Sequence, residues 1–200
     1  MLGVRATALL ALLPAVAAAG AVERERDPET GLVSWHWQGE ALSLELVQRL
    51  PDQSRAFFLG RGFGSDNADA IAVACVFQTI LRNQAPEGDG PTVAVDLDDW
   101  RVVRDGGTRP LRLEKTWEGR WEQTGASQAA RIAFRESLVP TPRESEPGDH
   151  TCRRSPFGPA PGLRFDLRFR WREDGESRRG VIEGLRCAPD VTDPLQEETQ

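Results

Sequence analysis

The stretch Arg164-Phe165-Asp166-Leu167-Arg168-Phe169-Arg170-Trp171-Arg172 places an apolar side chain at every second position and a charged one between. A helix would scatter these side chains around its axis. A strand sends successive side chains to opposite faces, so the segment reads as a half-buried strand with one face in a core and one in water. A strand so strongly two-faced needs a sheet around it and a second apolar layer to cover it.

The same period recurs along the chain. Leu42, Leu44 and Leu46, then Val93 and Val95, then Leu111 and Leu113 alternate with other side chains. Asp174-Gly175 tolerates positive φ and predicts a hairpin from the Phe165 strand into one containing Val181 and Ile182. Strands are expected at 33–38, 41–49, 76–83, 92–97, 100–104, 110–114, 131–139, 163–172 and 179–187. Helix signals are confined. After Pro51, Asp52 is placed to cap a short helix through Leu59, and Ser65 to cap a second as far as Ala74. Trp117 and Trp121, four apart, mark a third short helix between strands. The expected fold is mainly β: an antiparallel β-sandwich with a short helical hairpin inserted between its second and third strands. One long Pro/Gly-rich loop, 140–162, holds six Pro and three Gly with no apolar periodicity. Loops of that length are usually functional or flexible.

The two ends read differently. Arg5 precedes an apolar run from Ala6 to Leu13, then Pro14 and small residues to Ala21. This is the three-part pattern of a cleavable signal peptide over 1–21, with cleavage after Ala21 preferred to cleavage after Ala19. The apolar run is shorter than the roughly 20 residues that span a bilayer, so the cleaved chain is not expected to be an integral membrane protein. Residues 22–31, rich in charge, read as a flexible segment, 32–188 as a single β-sandwich-like domain, and 189–200 as an acidic flexible tail. Lys115 is the only Lys and Tyr is absent, an Arg-rich bias that fits GC-rich bacterial coding. The expected compartment is therefore the periplasm, with secretion to the medium as the alternative. The whole chain carries −6, and losing Arg5 with the leader makes the remainder −7. Such a balance argues against nucleic acid as a partner, because phosphate-backbone binding needs concentrated positive charge.

Cys75, Cys152 and Cys187 allow one disulfide in an oxidising compartment. Cys75 lies in the apolar run IAVACVF and Cys187 closes the last strand, so Cys75–Cys187 is preferred. Cys152–Cys187 is the alternative, and spacing alone leaves all three pairings open.

Catalytic patterns are scarce. Gly60-Arg61-Gly62-Phe63-Gly64 lacks the third Gly of a dinucleotide loop and is read as a turn between the two helices. Asp96, Asp98 and Asp99 lack the spacing of a Ca²⁺ loop and are read as turn residues. No cofactor is expected, copper being the one considered. A weak metal reading joins His150 and Cys152, two residues apart in the long loop, to His36, as imidazole and thiolate ligands that suit copper or zinc. Trp35 and Trp37 share one face of their strand and leave His36 on the other. The second candidate is the arginine stripe Arg164, Arg168, Arg170 and Arg172, extended by Arg178 and Arg179, which can dock an acidic partner or be balanced by Asp166, Glu173, Glu176 and Glu183. The functional expectation is a non-enzymatic exported domain that binds a protein or envelope partner, with copper handling as the alternative.

Overall fold

A computed structural model describes residues 20–190. The expected signal peptide, save its last two residues, and the acidic tail beyond Asp190 lie outside the described residues. Two antiparallel sheets enclose a shared core, as the alternation requires. Sheet A comprises β1 (Ala21–Arg26), β2 (Val33–Gln38), β3 (Leu42–Gln48), β4 (Val76–Asn83) and β9 (His150–Pro156), in the order β1-β2-β3-β4-β9. Sheet B comprises β5 (Val93–Val95), β6 (Arg101–Arg104), β7 (Gly107–Pro110), β8 (Arg143–Ser145), β10 (Arg164–Glu173) and β11 (Glu176–Arg186). The long strand β10 organises sheet B. Along one edge it pairs with β11, and along the other with β6 at 166–168 and then β5 at 171–173.

The hairpin between β10 and β11 turns at Asp174 and Gly175, with φ of 47° and 83°. Two successive residues at positive φ match the right-handed strand twist, and Asp-Gly supplies them at low steric cost. The core joins both sheets through rings. Trp37 of sheet A meets Phe169 and Trp171 of sheet B edge-on, at centroid distances of 4.9 and 5.1 Å. Gln48, buried on β3, accepts a hydrogen bond from the Val33 amide and donates one to the Arg186 carbonyl of β11 at 2.7 Å. This buried amide is satisfied on both sides and fastens one sheet to the other.

Among the described residues four α-helices form a third layer. The expected hairpin is α1 (Pro51–Leu59) and α2 (Ser65–Ala72), with the glycine-rich turn between them. Asp52 sits inside the first turn of α1 rather than capping it, and Gly64 rather than Ser65 is the N-cap of α2. The tryptophan pair lies on α3 (Glu114–Thr124), followed by α4 (Gln128–Ser137). Phe58, Phe63, Trp117, Trp121 and Phe134 make a separate aromatic core with Val76, whose side chain leaves β4 on the face opposite Phe77. The helices therefore cover part of the outer face of sheet A.

Four further expectations are corrected. Residues 131–139 belong mostly to α4, because Ser127 caps it through the Ala130 amide at 3.1 Å and the buried side chains are Ala130, Phe134 and Ser137, at helical spacing. Leu111 and Leu113 are buried but stand between β7 and α3, outside any strand. Residues 21–26 form an edge strand rather than a flexible lead-in. All six are exposed, so both faces of the strand carry water-facing side chains and no apolar alternation marks it. Charge on an edge strand also disfavours pairing with another chain. The 140–162 segment contains β8 and β9. Thr151 and Ser155 of β9 are buried where apolar residues would ordinarily stand, which hides the strand from a hydrophobicity reading.

Candidate binding surface

On β10 the apolar side chains face the core, and Arg164, Arg168, Arg170 and Arg172 face outward and are exposed. Neighbouring strands widen the patch. Arg168 pairs across the sheet with Arg101 of β6, and Arg170 pairs with Arg179 of β11. Arg101, Arg168, Arg170 and Arg179 line a hollow of about 820 Å³, with Asp99 and Glu183 as its acidic members and Gly20 and Val22 at its border, the first of which cleavage after Ala21 would remove. Arg101 is aimed by the backbone, donating to the carbonyls of Asp98 and Trp100 at 2.6 and 2.8 Å.

Three of the acids expected to balance the stripe, Asp166, Glu173 and Glu176, are engaged elsewhere, while Glu183 borders the hollow. Glu173 has the parity of Trp171 and is buried on the core side, where it accepts from the Trp171 indole at 2.9 Å and from Arg178 at 3.2 Å. Glu176 also pairs with Arg178, at 2.9 Å. Arg178 thus belongs to the opposite face from the stripe, and its guanidinium pKa is raised by the Glu176 hydrogen bond, with Glu173 adding to it. Asp166 accepts from the Gly184 amide at 2.9 Å, across the register shift between β10 and β11. Among the described residues, Arg164, Arg168, Arg170 and Arg172 form no ion pair within 4.0 Å.

The cysteines pair as Cys75–Cys187, leaving Cys152 free and exposed. The three metal candidates are not brought together. His36, Glu45, Ile80 and Cys152 occupy one cross-strand row of sheet A. Three strand spacings of about 4.8 Å put His36 roughly 14 Å from Cys152, too far for one ion with ligand bonds near 2 Å. His150 and Cys152 share a face of β9, and the Cys152 sulfur accepts from the Gln78 amide at 2.9 Å. Among the described residues no group of three or more His, Cys, Asp or Glu is arranged to hold a metal ion. Asp96 is a structural acceptor, taking hydrogen bonds from the Asp98 amide at 2.9 Å and the Thr141 hydroxyl at 2.7 Å. No helix among the described residues is long and apolar enough to cross a membrane.

Sequence reasoning found the stripe but missed Arg101, which follows the turn at Asp98-Asp99 and joins the patch only through sheet pairing. No protein-family model matches the chain, and neither a curated protein nor a solved structure does.

Proposed function

We propose that the chain is an exported, non-enzymatic periplasmic binding domain that docks an acidic segment of a partner protein on the outer face of sheet B. The observation that carries this reading is the row of outward arginines on β10, which form no ion pair among the described residues in a chain of net charge −6. An acidic chain that concentrates bare guanidiniums on one rigid strand, beside a hollow, offers forked donors to carboxylates. The strand holds them in fixed register, so little ordering cost remains for the docking surface.

The test uses the exported protein and a fluorescently labelled oligoglutamate peptide, followed by anisotropy at low salt. The wild type is expected to bind saturably, with affinity falling as salt rises. Reversing two charges, Arg168→Glu with Arg170→Glu, is expected to weaken binding by about a hundredfold, since like charges then face each other. Affinity unchanged by the double substitution overturns the reading. Preferential binding to anionic phospholipid vesicles through the same arginines replaces the protein partner with an envelope lipid.

Export is part of the proposal. The intact mass of the protein recovered from the periplasm is expected to place its first residue at Val22 or within two positions of it. Retention of Met1 rejects export by cleavage.

A further inference from the structure

Two other guanidiniums meet on one ring where α1 lies on the outer face of sheet A, with a third, Arg49, near enough to repel one of them, remote from the sheet B stripe. Arg61 follows α1, Arg154 rises from β9, and Arg49 follows β3. The Cζ atoms of Arg61 and Arg154 lie 3.3 and 3.2 Å from the centroid of the Phe57 ring. Two guanidiniums at that height on one face would overlap, so they stack on opposite faces with the ring between them. Stacking uses the faces of the guanidiniums and leaves their N–H groups pointing outward around the rim. Arg61 spends one, donating from Nη1 to the Phe57 carbonyl at 3.2 Å.

Among the described residues no carboxylate pairs with this charge, and the acidic group beside Arg154 is the Cys152 thiol, two residues away on the same face of β9. Among the described residues, none of Arg49, Arg61 and Arg154 has an ion-pair partner, and the buried Nε of Arg49 has no hydrogen-bond partner. The contrast with Arg55 on the same helix is direct, since it meets Asp52, Asp69 and Asp190 at 2.8, 2.7 and 2.6 Å. Burial, and then the like charges of Arg49 and Arg61, hold the Arg154 guanidinium down to about 10. Cations assembled without a carboxylate counter-charge, one of them with an unsatisfied buried donor, are held at an energetic cost that a bound anion relieves.

We infer that Arg61 and Arg154, stacked about Phe57, form with the neighbouring Arg49 a binding site for a phosphate-bearing anion. Phosphate suits the site better than a single carboxylate, because its double charge and several acceptor oxygens can take N–H groups from more than one guanidinium at the rim of the stack. The site lies on sheet A, so it is independent of the acidic-segment docking proposed for sheet B.

The test is calorimetric titration of the purified protein with inorganic phosphate, against chloride and acetate at matched ionic strength. Saturable phosphate binding is expected, weakened roughly tenfold by Arg61→Gln and by Arg154→Gln, the equivalent of one charge-assisted hydrogen bond each. Arg61 is exposed, so its substitution reads the site even if Arg154→Gln fails to fold. Arg168→Gln, on the other sheet, should leave the affinity unchanged. Competition by phosphatidylglycerol vesicles assigns the phosphate to a lipid headgroup, and its absence assigns a soluble phosphate; either outcome supports the site. Absence of saturable binding, or binding that survives both Arg61→Gln and Arg154→Gln, overturns it.

Discussion

Cys187→Ser is expected to lower the unfolding free energy by about 4 to 5 kcal/mol under oxidising conditions. The bridge to Cys75 closes 112 residues of sequence separation, and the chain-entropy model gives about 4.7 kcal/mol for a loop near that length. The bridge ties the turn between α2 and β4 to the end of β11, so it joins the helical layer and sheet A to sheet B. Cys187 is the better position to change. Cys75 sits at φ 54°, a left-handed conformation that a replacement freed from the bridge can relax, which would add a backbone change to the measurement. Urea unfolding of the variant, beside wild type with and without reductant, checks the expectation. Reduced wild type and the oxidised variant should unfold at similar denaturant concentrations, and both well below oxidised wild type. If the variant unfolds with the oxidised parent, the bridge contributes nothing to stability. Because domains are ordinarily stable by only about 5 to 15 kcal/mol, the loss expected here removes a large share of the whole.

What could be read from the residues follows from where the apolar contrast was strong. β10 announced itself because Phe165, Leu167, Phe169 and Trp171 all face one core while every residue between them is charged. β2 and β3 were legible for the same reason, and Asp174-Gly175 located the hairpin between β10 and β11 through backbone chemistry alone. β9 was not legible, because its inward positions include Thr151 and Ser155, and a buried hydroxyl looks polar in sequence. β1 was not legible because an edge strand exposed on both faces has nothing to alternate. α4 was misread because Ile132 and Phe134 mimic period two; Ile132 is in fact 41% exposed, and the helix buries Ala130 and Phe134 instead. The signal that finds α4 is punctuation, with Gly125 in the left-handed region ending α3 and Ser127 capping the next helix. The stripe on β10 was visible because one strand carries it. The cluster about Phe57 was not, since its arginines come from three separate elements that only the sheet register and the α1 packing assemble.

Phe169→Ala is expected to cost about 3 to 5 kcal/mol, as aromatic truncations in packed cores do. Phe169 is 1% exposed and its ring meets Trp37 at 4.9 Å, Trp171 at 5.4 Å and Trp100 at 5.6 Å, so truncation leaves a cavity lined by three indoles on both sheets. Arg168→Ala, one residue away but facing water, should change stability by no more than about 0.5 kcal/mol. Equal costs at the two positions would mean that the alternation does not mark the core. A second substitution sharpens the test. Gly180 pairs with Phe169 across β10 and β11, and a Cβ built there would run into the Phe169 ring. Gly180→Ala alone should therefore cost about 1 to 3 kcal/mol through overpacking. In the Phe169→Ala background the added methyl enters the space that the ring vacated, so the double variant should be more stable than the sum of the single costs predicts. Thermal and urea unfolding of the four proteins gives the coupling, and a value of zero would show that the two residues do not touch.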